Sequence, residues 1–181
     1  MLTLPIPYIL RKMQLPDIND VLSIDKLSFP TPAKIQLFEH ELSENKLAHY
    51  QCLLVDERLI GFSGYWLMGD EQHISTIATH PDWRSKGLGE LLLLNMLCMA
   101  YAQPITMTTL EVRRSNQVAQ RLYLKYKFEI AGERPRYYRD TGDDALIMTR
   151  TPLDAPYHNW LQVQQDLLFA RLVRGKGLGT V

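Results

Sequence analysis

The sequence predicts an α/β protein in which a mixed central β-sheet of about six or seven strands carries helices on both faces. Two observations support this fold class. β-Prone runs alternate with amphipathic runs along most of the chain, in the order β-α-α-β-β-β-α-β-α-β-β. In addition, residues 48–55 and 59–68 are both β-prone and are separated only by Asp56-Glu57-Arg58, which favours a hairpin.

The first third of the chain is predicted to be a strand followed by two helices. Residues 8–13 are β-prone, and a helix then opens at Pro16, because proline is tolerated in a first turn. That helix should end at Ser28-Phe29-Pro30-Thr31-Pro32, where two prolines bar its continuation. A second helix is predicted over 33–44. Phe29 either lines a groove between the two helices or packs as a staple at their corner.

The remaining elements follow from the same patterns. Pro104 ends a long helix, and Ser115 or Asn116 can cap the next one. A polar loop with Arg136, Tyr137 and Tyr138 is expected between the last two strands. The predicted elements are a strand over 71–79, a helix over 87–102, a strand over 105–112, a helix to about 125, and strands over 128–131 and 145–148.

Two prolines mark a boundary after the last predicted strand. We expect one domain over residues 1–150 and a C-terminal extension over 151–181. Residues 157–173 have an amphipathic pattern and predict a helix that packs on the domain or mediates self-association. The basic end from Arg174 to Gly179 is expected to be flexible. Its Gly-x-Gly has no preceding strand, so it is given no binding role.

Composition limits the class of protein. A chain of 181 residues with 46% hydrophobic residues can bury a sizeable core. Its formal net charge of zero argues against a dedicated nucleic-acid binder. No stretch is apolar enough to span a membrane, and the N-terminus does not resemble a signal peptide. The two cysteines form no disulfide framework, and the histidines have no ligand spacing. We therefore expect a cytoplasmic protein without a metal site.

One segment has a local excess of basic charge. Residues 111–139 contain eight basic side chains and three acidic ones. This segment is either a solvated face or a surface for an anionic partner such as a nucleotide cofactor or the ribosome. The basic residues are Arg113, Arg114, Arg121, Lys125, Lys127, Arg134, Arg136 and Arg139.

A glycine loop joins the strand at 71–79 to the helix at 87–102. Its sequence is Arg84-Ser85-Lys86-Gly87-Leu88-Gly89. The first N–H groups of a helix lack intrahelical partners, and the helix dipole is positive there. Glycine lets a ligand approach the backbone, and two basic side chains add positive charge. The loop therefore favours phosphate binding, although a plain helix start would have the same pattern.

Four spaced motifs connect this loop with a known family. They are Ile77-Ala78-Thr79, Arg84-Ser85-Lys86-Gly87-Leu88-Gly89, Asn116 and Leu122-Tyr123. Over residues 8–150 the chain resembles the GNAT superfamily of acyl-CoA-dependent N-acetyltransferases. A closer resemblance, to the bacterial enzymes that acetylate the N-terminal alanine of a small-subunit ribosomal protein, rests on further runs. These are Leu110-Glu111-Val112-Arg113, Ser115-Asn116, Arg136-Tyr137-Tyr138, Asp144-Ala145-Leu146-Ile147-Met148 and Ser28-Phe29-Pro30.

The resemblance implies acetyl-CoA as the co-substrate and assigns residues to it. The backbone of Ile77, Ala78 and Thr79 would pair with the pantetheine arm like an added strand. Main-chain N–H groups of Arg84, Ser85, Lys86, Gly87, Leu88 and Gly89 would hold the diphosphate. Asn116 would bond the co-substrate further along. Phe29 and Tyr138 would lie on the acceptor side.

Glu111 and Tyr123 have the chemistry that acetylation of an amine requires. The nucleophile must lose a proton, and the leaving thiolate must gain one. Glu111 at a strand end could take the first proton, directly or through water, and the phenol of Tyr123 could supply the second. The resemblance implies these roles. The alternatives are a Glu111 paired with Arg113 or Arg114 and a Tyr123 that fills the core.

Three functions are compatible with this pattern. The first is transfer of acetyl from acetyl-CoA to the N-terminal alanine of a ribosomal protein, by direct attack in a ternary complex. The others are a GNAT enzyme for a small amine or lysine, and an acyl-CoA-binding module without catalysis. An α-amine with a pKa of ~7.7–8 costs roughly 1 kcal/mol to deprotonate at pH 7, against about 4.6 kcal/mol for lysine. A single carboxylate base can therefore deprotonate an α-amine more readily than a lysine.

Two positions depart from the family pattern. Lys127 stands where the family often has glycine, and Thr31 stands where relatives often have an aromatic residue. A non-glycine residue in a left-handed helix cap costs of order 1 kcal/mol, so we expect the helix to end differently.

Overall fold

The computed structural model describes residues 1–174 and shows one seven-stranded mixed sheet with helices on both faces. This confirms the predicted fold class. The strands are β1 Tyr8–Lys12, β2 Ala48–Val55, β3 Arg58–Met68, β4 Glu71–Thr79, β5 Met107–Arg113, β6 Glu129–Tyr138 and β7 Asp143–Arg150. The helices are α1 Ile18–Ser28, α2 Ile35–Ser43, α3 Leu88–Tyr101, α4 Gln117–Lys125 and α5 Ala155–Arg174.

The sheet order is β1-β2-β3-β4-β5-β7-β6, and its pairs are antiparallel except for β4 with β5. Strands β2, β3 and β4 form a meander, since short turns join β2 to β3 and β3 to β4. Helix α3 connects β4 to β5, and a helical crossover of this length permits a parallel pair. In this order the one parallel pair, β4 with β5, includes the central strand of the sheet.

Each face of the sheet has its own apolar core. On one face α1 and α2 bury Val21, Ile24 and Phe38 against side chains of β2 and β3. On the other face lies the larger core, which includes most of α3 and the buried side of α5. Helix α3 is hydrophobic nearly all round, as expected for a helix packed between the sheet and α5. Within residues 1–174, no helix is long and apolar enough to cross a membrane.

The prediction of a polar loop with Arg136, Tyr137 and Tyr138 between the last two strands is wrong. Strand β6 continues to Tyr138, and only a short turn separates it from β7. The sequence of β6 lacks a regular strand pattern. The strand lies at the edge of the sheet, its register against β7 shifts, and Arg136 has a φ of 52°. Proline is tolerated on an edge strand, so Pro135 does not end it.

The end of α4 also differs from expectation. Lys127 adopts the left-handed conformation itself, with a φ of 60°. The N–H of Phe128 donates to the carbonyl of Tyr123 at 3.1 Å, and the N–H of Lys127 donates to that of Leu124 at 2.9 Å. These are the two bonds of the Schellman motif. The Nζ atom of Lys127 lies 4.4 Å from the ring centre of Trp160, so a contact with α5 offsets part of the conformational cost.

We expect Lys127→Gly to leave stability nearly unchanged. Glycine removes a left-handed conformational cost of about 1 kcal/mol, and loss of the contact with Trp160 forfeits about 0.5–1 kcal/mol. Lys127→Ala keeps the cost and loses the contact, so it should destabilise by about 1 kcal/mol. Urea unfolding of both variants measures the difference. A glycine variant less stable than the alanine variant would contradict this account.

Helix α5 packs on the domain. Tyr157, Leu161, Leu168 and Leu172 are buried, and the hydroxyl of Tyr157 donates to the carbonyl of Tyr126 at 2.8 Å. The extension is thereby tied to the end of α4 as well as to α3. The flexible end expected after Arg174 lies outside the described residues.

Candidate active site

The parallel strands β4 and β5 separate before they end. Among the described residues they pair only from Glu71 to Ile74 and from Met107 to Leu110. Beyond these points Ile77, Ala78 and Thr79 pair with β3, while Glu111 pairs with β7. A gap therefore opens at the carboxyl ends of the two strands. Backbone groups on its edges can pair with an extended ligand, as in strand addition.

A cavity of about 800 Å³ lies over this gap. Its walls come from the α1–α2 connection, β4, β5, α4 and the β6–β7 turn. Six of the predicted site residues line it. They are Phe29, Ile77, Glu111, Asn116, Tyr123 and Tyr138. The structure thus gathers the two candidate catalytic residues and the two acceptor-side residues around one space.

The glycine loop lies outside the lining of this cavity. Ser85 and Gly87 have φ values of 61° and 82°, which turn the chain from β4 into the first residue of α3. A Cβ placed on Gly89 would meet nothing within 4 Å among the described residues. Gly89 therefore faces open space at the N-terminus of a helix. This is the geometry in which main-chain N–H groups can bind a diphosphate.

The two basic side chains of the loop are already engaged. The guanidinium of Arg84 donates to the carbonyl of Leu27 at 3.3 Å, to Oγ of Ser28 at 3.1 Å and to the carbonyl of Thr79 at 3.4 Å. The Nζ atom of Lys86 lies 4.7 Å from the ring centre of Trp83. Arg84 thus ties the loop to the end of α1, and its main role here is to fix the loop.

Asn116 is the cap of α4. Its Oδ1 atom accepts from the N–H of Ala119 at 3.1 Å. Of the two caps the sequence allowed, Asn116 is the one observed, and Ser115 instead donates its hydroxyl to Asp143. Capping holds the Asn116 side chain at the cavity wall, at the N-terminus of a second helix.

Glu111 forms an ion pair that the sequence analysis did not foresee. Its Oε2 atom lies 3.1 Å from Nε2 of His73, and its Oε1 atom lies 3.3 Å from Arg134. The hydrogen bond from His73 is the main cause that lowers the pKa of Glu111. The alternative pairing with Arg113 or Arg114 is wrong. Arg113 binds Asp140, and Arg114 contacts Glu133 and Asp144.

His73 is the site residue that sequence reasoning missed. It lies on β4 opposite Thr109 of β5, so its side chain reaches the same sheet face as Glu111 two residues on. The hydrogen bond with Glu111 raises the pKa of His73. The ring of Trp66 stacks on His73 at 5.6 Å. The alternation of side chains along each strand could have shown which residues share a face of the sheet. Only the register of the two strands shows that His73 meets Glu111.

Tyr123 is buried at the cavity wall with 9% of its surface exposed. Its ring packs on Phe128, and within residues 1–174 its hydroxyl has no hydrogen-bond partner. Burial, together with the nearby Tyr138, raises its pKa above the ordinary value. Tyr123 is therefore a protonated phenol at neutral pH, with its donor available to a group in the cavity.

The acceptor side is bridged by hydrogen bonds. Asp140 in the β6–β7 turn accepts from Thr31 at 2.9 Å and from Arg113 at 2.7 Å. Arg113 also lies 3.9 Å from the ring centre of Tyr138. Thr31, the residue that departs from the family pattern, thus connects the loop of Phe29 to the turn that follows Tyr138.

The basic segment is partly neutralised within the protein. Arg113, Arg114, Lys125 and Arg134 are paired with Asp140, Glu133, Glu90 and Glu111. Lys127 lies over Trp160. Four of the eight basic side chains of the segment are thus paired with carboxylates within the described residues.

The ion pair of His73 with Glu111 predicts a pH-dependent contribution to stability. The pKa of His73 is raised and that of Glu111 is lowered, so the pair is complete between about pH 4.5 and 6.5. Its contribution falls as pH rises through the raised pKa of His73. We expect His73→Gln to be destabilised by about 1 kcal/mol more at pH 5.5 than at pH 8.5. Urea unfolding at both values tests this, and an equal difference at both would contradict it.

Comparison with known proteins identifies the class. A model of the acetyltransferase (GNAT) family matches residues 15–128. The chain is 41% identical over 138 residues to a Bacillus subtilis protein provisionally named a ribosomal protein bS18-alanine N-acetyltransferase, which covers 76% of this chain and 91% of that protein. It is 34% identical over 106 residues to N-alpha-acetyltransferase RimI of Mycobacterium tuberculosis, covering 56% of this chain and 65% of that protein.

A solved structure has the same fold. The ribosomal-protein-S18-alanine N-acetyltransferase of Escherichia coli superposes with a TM-score of 0.74 at 25% identity, over 81% of this chain and 94% of that one. The chain therefore belongs to the GNAT family of acetyltransferases. It is an N-acetyltransferase that uses acetyl-CoA, and its resemblance to the bacterial ribosomal-protein-alanine N-acetyltransferases is confirmed. The hypothesis of a non-catalytic module is thereby set aside.

Proposed function

We propose that this enzyme moves the acetyl group of acetyl-CoA to the N-terminal alanine amine of a ribosomal protein, by direct attack in a ternary complex. The observation that carries the proposal is the joint position of Glu111 and Tyr123 on one cavity, between the open edge of β4 and the acceptor-side residues Phe29 and Tyr138. The names of the similar bacterial proteins support the choice of acceptor.

The cleft fits an extended acyl-CoA. The pantetheine arm would pair with the free backbone edge of Ile77–Thr79, and the diphosphate would lie on the N–H groups of residues 84–89. The amide of Asn116 would contact the arm further along. Acetyl-CoA supplies a thioester whose carbonyl carbon accepts the amine.

Glu111 serves as the base of the reaction. The amine nitrogen forms a bond to the acetyl carbon, and the ammonium proton passes to Glu111 directly or through one water. A carboxylate whose pKa is lowered is a weak base on its own. His73 shares a hydrogen bond with Glu111, and this bond raises the pKa of His73. As His73 loses its proton with rising pH, the carboxylate becomes a stronger base.

Tyr123 completes the proton balance. The carbon–sulfur bond breaks as the amide forms, the phenol proton passes to the leaving sulfur, and the second proton lost by the amine nitrogen replaces it on Tyr123 through water. The transfer is uphill, because an ordinary phenol has a pKa of about 10 and a free cysteine thiol about 8.5, so it depends on the hydrogen bond that the phenol donates to the sulfur as the carbon–sulfur bond breaks. Burial keeps the proton on Tyr123 until the sulfur develops charge.

The partner proposed here is a protein or peptide N-terminus, with no direct contact to nucleic acid required. Phe29 and Tyr138 would flank the first residue of the acceptor. We place the enzyme in the cytoplasm, where ribosomal proteins are made. Both cysteines are free, and burial raises the pKa of Cys52 to about 12 and that of Cys98 to about 11, which leaves the thiols unreactive.

Self-association through α5 is a separate proposal. It is supported by the exposed side chains of Val163, Leu167 and Val173 on the helix. Analytical ultracentrifugation tests it, and a monomer at concentrations up to the millimolar range would count against it.

The acceptor is tested with peptides. We expect acetylation of a ribosomal peptide that begins with alanine, and none of the same peptide with a blocked N-terminus and a free lysine. Mass spectrometry locates the added acetyl group, and comparison of protein N-termini from cells with and without the enzyme identifies the natural acceptor. Acetylation of lysine or a polyamine in preference to the peptide N-terminus would instead support the small-amine or lysine function.

A further inference from the structure

The carboxylate of Glu90 lies in the first turn of α3, directly after the glycine loop, and cations from two other helices enclose it. Lys125 of α4 lies 2.5 Å from its Oε1 atom, and Arg171 of α5 lies 2.8 Å from its Oε2 atom. The hydroxyl of Tyr126 donates to Oε1 at 3.0 Å. Burial opposes ionisation of Glu90, but these hydrogen bonds outweigh it and lower the pKa. Glu90 is therefore an anion at neutral pH.

Helix α5 also packs against the glycine loop itself. A Cβ placed on Gly87 would lie 3.2 Å from Cδ1 of Leu168 and 3.9 Å from Cδ2 of Leu172. One placed on Gly89 would point into open space. The loop thus has two faces, because Gly87 faces the C-terminal extension and Gly89 faces the side from which a ligand can approach.

The charge of Glu90 matters for any anion bound at this loop. Two like unit charges at 4 Å repel by about 1 kcal/mol in water and about 4 kcal/mol near a protein surface. The charge of Lys125 alone would cancel that of Glu90. Arg171 brings the sum of the three groups to +1, in the first turn of the helix whose dipole is positive at the same end.

We propose that α5 is a positioning element of the acetyl-CoA site. Arg171, added to Lys125, brings the charge around Glu90 to +1, and Leu168 packs against Gly87, so that the loop keeps the charge and shape that a diphosphate requires. The inference rests on the proposed placement of the diphosphate at residues 84–89. It gives the C-terminal extension a role in co-substrate affinity and leaves the chemical step to the cavity.

The test compares two acetyl donors. Acetyl-pantetheine lacks the diphosphate, so a defect in the loop should affect acetyl-CoA alone. We expect Arg171→Ala to raise the Kd and KM of acetyl-CoA about tenfold, with kcat and the KM of acetyl-pantetheine unchanged. The double variant Glu90→Gln/Arg171→Ala should regain acetyl-CoA affinity, because Lys125 alone then restores the sum of +1.

Arg174→Ala is the matched control. Arg174 lies on the same helix, is exposed and makes no ion pair within residues 1–174. The side chain of Arg171 is 56% exposed, and the buried leucines of α5 remain, so thermal unfolding should show that each variant is folded. Unchanged acetyl-CoA affinity in Arg171→Ala, equal weakening for both donors, or no recovery in the double variant would each overturn the inference.

Two further arms separate this inference from the proposed function. Gly89→Asp places a carboxylate on the open face of the loop and should abolish detectable acetyl-CoA binding. If it binds normally, the placement of the diphosphate fails, and the inference fails with it. If the unaltered protein acetylates the peptide while Arg171→Ala behaves like Arg174→Ala, the function stands and only the role of α5 is lost.

Discussion

Glu111→Gln is expected to lower kcat at pH 7 by about 10²–10⁴-fold, which is the usual contribution of a general base. Glutamine keeps the size of the side chain and can still accept from His73, so the cavity should keep its shape. Glu133→Gln is the control, since Glu133 is an exposed carboxylate that pairs with Arg114 outside the cavity. Steady-state kinetics with the alanine-starting peptide measures the difference.

The pH dependence sharpens this prediction. At pH 7 only about a tenth of an α-amine with a pKa of ~7.7–8 is unprotonated, whereas at pH 9 nearly all of it is. The defect of Glu111→Gln should therefore shrink by about tenfold between these values. A kcat near that of the wild type at pH 7 would exclude Glu111 as the base. A constant defect at all pH values would show that the carboxylate acts otherwise.

Tyr123→Phe is expected to lower kcat by about 10²–10³-fold, because the leaving sulfur loses its proton donor. The variant should be nearly as stable as the wild type, since the hydroxyl faces the cavity and makes no hydrogen bond within residues 1–174. Loss of activity would then not be a consequence of unfolding, and urea denaturation verifies this.

The leaving group distinguishes catalysis from packing. A donor thioester whose thiol has a lower pKa needs less help from an acid, so it should recover much of the lost rate in Tyr123→Phe. Tyr65→Phe is the control, because Tyr65 is a buried tyrosine outside the cavity lining. Full activity of Tyr123→Phe with acetyl-CoA would refute the assignment, and an equal defect with both donors would assign Tyr123 to cavity shape alone.

Local patterns predicted most of the elements. The hairpin of β2 and β3, the proline-limited end of α1 and the long apolar α3 depend on neighbours within a few residues, and each appears where it was expected. Strand β6 was underestimated because its edge position tolerates Pro135 and polar side chains. The prediction for the end of α4 considered only the conformational cost of Lys127. The contact of Lys127 with the ring of Trp160, which is distant in sequence, offsets part of that cost.

The candidate site was predicted only in part for the same reason. Glu111, Asn116 and Tyr123 follow from motifs in one stretch of chain. His73 is separated from Glu111 by 38 positions, and only the parallel register of β4 and β5 brings their side chains to 3.1 Å. The partner of Glu111 therefore could not be chosen from the several basic residues nearby in sequence.

The sequence by itself determined the order of the elements, the strand-to-helix glycine loop and the residues with acid–base chemistry, because all of these are properties of short segments. The tertiary structure decided which charges meet. It opened the gap between β4 and β5, paired Glu111 with His73, and placed Arg171 of α5 on Glu90 beside the glycine loop. The physical reason is that ion pairing and packing depend on the distance between atoms in space, which strand register and helix docking set and local sequence does not.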